Sequence, residues 1–233
     1  MRPYCGWKDL QIGCMDSKRA GTAQTFLFAD LAGYTALTEA HGDELAADTA
    51  AVFRATARDL LADADGEEVK GLGDGLMIRV PHAGAAVRLG SRLVTETLAH
   101  GALGVRVGMH TGPALQRDGD WFGATVNIAA RVAELARAGE VLLSGTTREA
   151  AEAELHGIVL DFRGRERLRH VAQPVELYAV RLQAVGLAVD PVCHMAVEPA
   201  RAAAVREHAG AWLYFCSDEC AVAFDQEPQR YLP

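Results

Sequence analysis

Apolar and polar positions divide the chain into short apolar runs and longer stretches of helical period. "TFLFAD" (25–30) is an apolar run ending in an acid, the pattern of a buried strand. In "GDELAADTAAVFRATARDLLADAD", positions 45, 49, 52, 56, 60 and 61 fall on one stripe, which predicts an amphipathic helix. "EEVK" and "GLMIRV" flank "GLGD", so residues 67–80 predict a β-hairpin with a glycine-rich turn. A second helix is expected over about 82–99. "VRVGMHTGPALQ" reads as strand, turn, strand; "ATVNIAARVAELARA" as a helix; "EVLLSG" as a strand. "HGIVLDF" and "PVELYAV" form a final strand pair around "RGRERLRHVAQ". Helices alternate with strands, but the hairpins exclude a purely parallel sheet. The expectation is an α+β or mixed α/β domain over residues 25–181.

Composition sharpens this division. Half of the 233 residues are apolar, enough for a substantial core, and no repeat interrupts the chain. A net charge of −8 and a pI near 5.5 argue against nucleic-acid or anionic-membrane partners. No stretch reaches the roughly 20 apolar residues of a membrane span. Residues 1–24 lack the apolar core of a signal peptide and read as a disordered leader, in which Cys5 and Cys14 are inert. Five cysteines, an odd number, point to a reducing compartment, and the expected location is cytoplasmic. After a short linker at 182–189 the texture changes. The last 44 residues hold three of the cysteines and seven acids against three arginines, so 190–233 reads as a second, small unit.

Lysine usage singles out one position. Of 23 basic residues only Lys8, Lys18 and Lys70 are lysines, and Lys70 is the only one after the leader. Two acids add to the picture. An isolated aspartate is usually a turn or cap residue, but Asp30 ends a strand and precedes "LAGYT", which leads into a helix. The backbone N–H groups of that helix start suit a phosphate, and hard oxygen ligands suit a Mg²⁺ shared with it. A hairpin beside the first strand would bring Asp74 to the same place. Further on, Asn127 and Arg131 lie four apart on one face of an otherwise apolar helix. A planar, permanently charged guanidinium suits a phosphate that gains charge in its transition state.

"FLFADLAGYT", "VKGLGDG", "RVGMHTG", "GDWFGATVNIAARV" and "LRHVAQPVELYAV", in that order, resemble the catalytic domain of class III nucleotidyl cyclases over about 155 residues. The resemblance implies a ferredoxin-like, βαβ-type sheet domain with helices on the sheet. It implies a head-to-tail homodimer with shared active sites, converting a nucleoside triphosphate to its 3′,5′-cyclic monophosphate. Asp30 and Asp74 match the acids that hold two Mg²⁺ or Mn²⁺ ions per site. Asn127 and Arg131 match the residues that orient the ribose and stabilise the α-phosphate. Lys70 and Asp120 match the pair that reads the purine, and lysine with aspartate is the adenine combination, so ATP is the expected substrate. Arg169 stands where many members have a triphosphate-contacting lysine, and arginine also binds phosphate well. Guanylate cyclase and an inactive nucleotide-binding or metal-sensing protein on the same fold are the alternatives.

In the tail, Cys193, Cys216 and Cys220 are spaced C-x22-C-x3-C. Two thiols within one helical turn and a third after a proline suit Zn²⁺ or another soft metal such as Cu⁺. A unit this small also gains folding energy from a metal. "DPVCHM…YFCS…C…F…P…YL" resembles the YHS domain, a small treble-clef-like module. Two tail histidines, His194 and His208, are the candidates for a fourth ligand. The tail is expected to be a regulatory module or a docking site for a protein partner.

Overall fold

The computed structural model describes residues 22–100, 103–182 and 186–232. The leader expectation falls outside them up to residue 21, with Cys5 and Cys14, and the linker is described only in part. The first strand, β1 (Gln24–Leu31), is followed by α1 (Tyr34–His41) and α2 (Asp43–Leu61). Gly42, at φ 85°, separates the two helices, because a left-handed residue cannot continue either one. The hairpin expected at 67–80 is present as β2 (Glu67–Leu72) and β3 (Gly75–Val80). Then come α3 (Ala83–Ala99), β4 (Val105–Gly112), a small hairpin of β5 (Leu115–Arg117) and β6 (Asp120–Phe122), and α4 (Ala124–Leu135). The unit closes with β7 (Val141–Ser144), α5 (Gly145–Ala151), β8 (Leu160–Glu166) and β9 (Val175–Val180). Helix α5 has no counterpart in the sequence reading, since its seven residues show too little periodicity. β8 reaches into the segment read as a loop, and its register shifts between Phe162 and Gly164.

Seven strands form one sheet in the order β2-β3-β1-β4-β7-β9-β8. Every neighbouring pair is antiparallel except β4 and β7. Side chains alternate across β1, and both faces are covered. Leu27, Ala29 and Leu31 pack with α2 and α3 residues such as Phe53, Val87 and Leu93. Phe26 faces the other way, packing with Met77 and with Ala129 of α4. This double burial explains why β1 reads as a continuous apolar run. Helix α4 lies directly on β4, and Gly108 makes that approach possible. A Cβ there would stand 2.0 Å from the Ala133 nitrogen, so any side chain would push α4 off the sheet.

The tail forms two small hairpins and two helices. These are β10 (Ala188–Val189) with β11 (Ala196–Val197), β12 (Ala204–His208) with β13 (Ala211–Phe215), α6 (Asp218–Gln226) and α7 (Pro228–Tyr231). It is not a separate bead. Val192, Phe215, Ala221 and Phe224 belong to the same buried cluster as Leu37 of α1 and the α2–α3 side of the sheet. A β-bridge also joins Leu103 to Met195.

At the carboxyl end of β4, hydroxyl groups link strands to helix. Thr25 and Thr111 lie 2.9 Å apart, Thr111 donates to Thr147 at 3.1 Å, and Ser144 lies 2.7 Å from His110 Nδ1. Burial pushes the His110 imidazole down from 6.5 to about 4. The folded value lies below the unfolded one, so the neutral ring's contribution is complete above about pH 6.5 and is lost as pH falls towards 4. Urea unfolding between pH 7.5 and 4.5 is expected to show an acid loss of about 1–3 kcal/mol that His110→Gln largely removes. Parallel curves for the two proteins would rule out His110 as the source.

Candidate functional site

The register of β1 assembles the two acids. Asp30 lies opposite Gly75 on one side and opposite Arg106 on the other. Asp74 precedes Gly75 in the hairpin turn, so its carboxylate arrives beside Asp30. Arg54 of α2 holds that turn by donating to the Gly73 carbonyl at 2.5 Å. The Arg106 guanidinium donates to Asp30 through Nε at 2.9 Å and through Nη2. A cleft of about 380 Å³ opens over the acids, lined also by Phe28, Arg106, Ala130 and Glu134. Desolvation first, and the neighbouring Asp30 second, raise the Asp74 pKa above the usual carboxylate range. Two carboxylates held close against their mutual repulsion, in a partly dry cleft, form a donor set that a divalent cation would relieve. The residues therefore fit the Mg²⁺ or Mn²⁺ expected there.

Lys70 and Asp120, 50 residues apart, form a second pair. Lys70 Nζ donates to Asp120 Oδ2 at 2.6 Å. Lys70 follows a register shift in β2, the kind of bulge that re-aims a side chain, and it stands opposite Met77. Asp120 is fixed by its neighbour. Its Oδ1 accepts from the Trp121 backbone N–H at 2.8 Å, while the indole meets Phe26 edge-on and lies under the Arg79 guanidinium. The Lys70 hydrogen bond, then that from Trp121, holds the Asp120 carboxyl below its usual range. Both side chains remain partly open to solvent, at 43% and 32%, so a ligand edge could reach them.

The remaining candidates do not line the cleft, although Glu134, which Arg131 meets, does. Asn127 is exposed on α4, and Arg131, one turn on, pairs with Glu134 of its own helix. Neither lines the cleft over Asp30 and Asp74. Arg169 is exposed in the loop between β8 and β9. One chain thus brings the expected residues together as two pairs, Asp30 with Asp74 and Lys70 with Asp120, and leaves the α4 pair and Arg169 outside both.

The three tail cysteines do converge. Cys193 lies in the turn between β10 and β11, Cys216 follows β13, and Cys220 is in the first turn of α6. Their sulfurs are 3.3 Å (Cys193–Cys216) and 3.8 Å (Cys216–Cys220) apart. The histidine that stands with them is neither His194 nor His208. It is His41, the last residue of α1, whose Nε2 lies 3.5 Å from Cys216 Sγ and 3.4 Å from Cys220 Sγ. All four ligand atoms fall within 4.8 Å of one another. His194 is diverted by a left-handed backbone, φ 64°, and packs on Gly33, while the His208 ring meets Phe224 edge-on. His41 was invisible in the sequence because it lies 175 residues from Cys216, whereas metal motifs are recognised by short spacings. Asp190 was also missed, although "DP" marks a turn. Fully buried, it accepts from the Val192 N–H at 2.8 Å and the Cys216 N–H at 2.8 Å, tying the two cysteine loops together.

Comparison with known proteins gives two matches along the chain. Residues 17–181 match the adenylate and guanylate cyclase catalytic domain family, and residues 188–233 match the YHS domain. The pH-sensitive adenylate cyclase of Mycobacterium tuberculosis is 36% identical over 160 residues, which is 67% of this chain and 40% of that protein. An adenylate cyclase of Streptomyces coelicolor is 39% identical over 118 residues, 50% of this chain and 31% of that one. This chain therefore spans well under half the length of these relatives. Among solved structures, an adenylate cyclase from Trypanosoma brucei in its monomeric state superposes with a TM-score of 0.62 at 25% identity, over 72% of this chain and 97% of that one. No helix among the described residues is long and apolar enough to cross a membrane.

Proposed function

Because the chain belongs to the adenylate and guanylate cyclase catalytic domain family, we propose that residues 25–181 form a catalytic unit that converts ATP to 3′,5′-cyclic AMP and pyrophosphate. Residues 190–233 are then a metal-binding module carried behind it. The observation that carries the reading is the convergence of Asp30 and Asp74 on one cleft through the β1–β3 register. Bound Mg²⁺ or Mn²⁺ would neutralise the triphosphate and lower the pKa of the ribose 3′-hydroxyl. The 3′-oxygen attacks the α-phosphorus in line and gives up its proton to solvent; the new P–O bond forms as the α–β bridging bond breaks, and pyrophosphate leaves.

Lys70 and Asp120 supply the base preference. An ammonium donates to adenine N1, which is itself a donor in guanine, and a carboxylate accepts from the 6-amino group, where guanine has a carbonyl. The 2.6 Å contact between them supports their acting together on one purine edge. Asn127 and Arg131 would orient the ribose and stabilise charge on the α-phosphate, with Arg169 on the triphosphate. Asn127 and Arg131 do not line the cleft over the acids of their own chain, and the reading completes the site with the acids of one protomer and the α4 pair of its partner. Exposed Leu72, Leu115 and Phe122, around the two hairpins, support such an apposition. Cys193, Cys216 and Cys220 hold Zn²⁺ or Cu⁺ in the tail.

Purified protein supplied with Mn²⁺ or Mg²⁺ and either ATP or GTP, with products separated, tests the activity directly. Cyclic AMP from ATP is expected, and Asp30→Ala or Asp74→Ala should abolish it without loss of fold. Near-normal turnover in either variant would refute the metal assignment.

Arg131→Ala should lower turnover about 100- to 1,000-fold. Mixing it with Asp30→Ala should recover activity through one intact site per heterodimer. Heterodimers that form and stay inactive would contradict the shared site.

Lys70→Glu combined with Asp120→Cys should shift kcat/KM from ATP towards GTP. Each mismatched hydrogen bond costs about 1–3 kcal/mol, which is roughly a ten- to hundred-fold change in preference. An unchanged ratio would mean that these residues do not read the base.

A further inference from the structure

The tail grips α1 at both ends. At its start, the His194 ring packs on Gly33, where an added Cβ would lie 2.6 Å from His194 Cδ2. Midway along, Arg230 of α7 reaches Glu39 at 3.5 Å. At its end, His41 joins the three sulfurs. For Zn–S bonds of about 2.3 Å and Zn–N bonds of about 2.0–2.1 Å, a tetrahedron has S···S edges near 3.8 Å and S···N edges near 3.6 Å. Two of the three S···S separations, 3.3 and 3.8 Å, and two of the three S···N separations, 3.5 and 3.4 Å, lie close to those edges, and the other two are within 4.8 Å. Cys193 and Cys220 are buried, while His41 and Cys216 are partly exposed, so an ion has a route in.

We infer that the metal centre is a four-coordinate S₃N site for a divalent cation such as Zn²⁺, completed by His41 of the catalytic unit, so that the ion staples α1 to the tail. The inference rests on the reading that the three cysteines bind a metal, and it adds the fourth ligand and its consequence. Helix α1 begins at Tyr34, just after β1, the strand that carries Asp30, so only a short turn separates that helix from an acid of the cleft. An ion shared between α1 and the tail therefore sets how firmly that helix and the turn before it are held. Metal occupancy in the tail would be registered at the catalytic unit through His41.

Full-length protein, metal-stripped under reducing conditions, is titrated with Co²⁺ and with Zn²⁺. Wild-type protein is expected to take up about one ion per chain, with the visible d–d bands of a tetrahedral Co²⁺ site and thiolate charge-transfer absorption. His41→Ala should keep the charge-transfer absorption, alter the d–d bands and bind at least about ten-fold more weakly. His41→Cys should restore affinity and strengthen the charge-transfer absorption as a fourth thiolate joins. His194→Ala and His208→Ala should bind like wild type. Amide exchange over residues 34–41 should quicken on chelation in wild type and become insensitive to metal in His41→Ala.

The outcomes separate the two layers of the argument. Absence of ion uptake by wild-type protein would defeat the three-cysteine reading and the staple with it. Ion uptake that His41→Ala leaves unchanged in affinity and spectrum would defeat only the fourth ligand. Exchange in α1 that ignores metal in wild type would show that the ion does not hold the helix.

Discussion

The antiparallel register of β1 between β3 and β4 is the constraint on which the catalytic unit depends. It sets Asp30 opposite Gly75 on one side and Arg106 on the other, and so delivers Asp74 and a guanidinium to one carboxylate. A one-residue slip would send Asp30 to the opposite face and expose Phe26, which is fully buried against α4. Packing and chemistry therefore enforce the same register. Gly108 extends the constraint to the next strand, since α4 can lie close enough to wall the cleft only where β4 has no side chain.

Charge is distributed to match this geometry. The two acids are brought together at a cost, visible in the raised pKa of Asp74, and Arg106 offsets part of it. Lys70 and Asp120 are held by different elements, a bulged edge strand and a tryptophan anchored on Phe26, and they stabilise one another. Lys70, Asp120, Asn127 and Arg131 do not line the cleft over the acids, and Arg131 is engaged with Glu134 of its own helix. On the proposed reading two chains complete a site by apposition, and the apolar residues exposed on the hairpins are compatible with that arrangement.

The tail is integrated through packing as well as through the four-atom cluster. Phe215 and Phe224 share a buried cluster with Leu37, and Met195 bridges to Leu103. A unit of under 50 residues rarely buries enough apolar surface to be stable alone. Here it borrows a wall from the catalytic unit. The tail and α1 are thus joined by a shared core as well as by the cysteine–histidine cluster.

What the sequence by itself determined were features encoded by near neighbours. The β1 run, the α2 stripe, the hairpin around "GLGD" and the C-x3-C pair each depend on residues a few positions apart, where periodicity and turn chemistry act. The lone lysine and the order of the five motifs also pointed to the family and to its candidate residues. Helix α5 escaped because seven residues carry little periodic signal, and β8 overran a stretch whose charges suggested a loop. The 2.6 Å contact of Lys70 with Asp120 and the meeting of His41 with Cys216 were decided only by tertiary structure. Those contacts span 50 and 175 residues, and no local preference of either partner records the other. His194 and His208 are nearer to the cysteines along the chain, yet backbone conformation and aromatic packing turn them elsewhere. The end of α1, fixed by the left-handed Gly42 and the shared core, places His41 at the thiols instead.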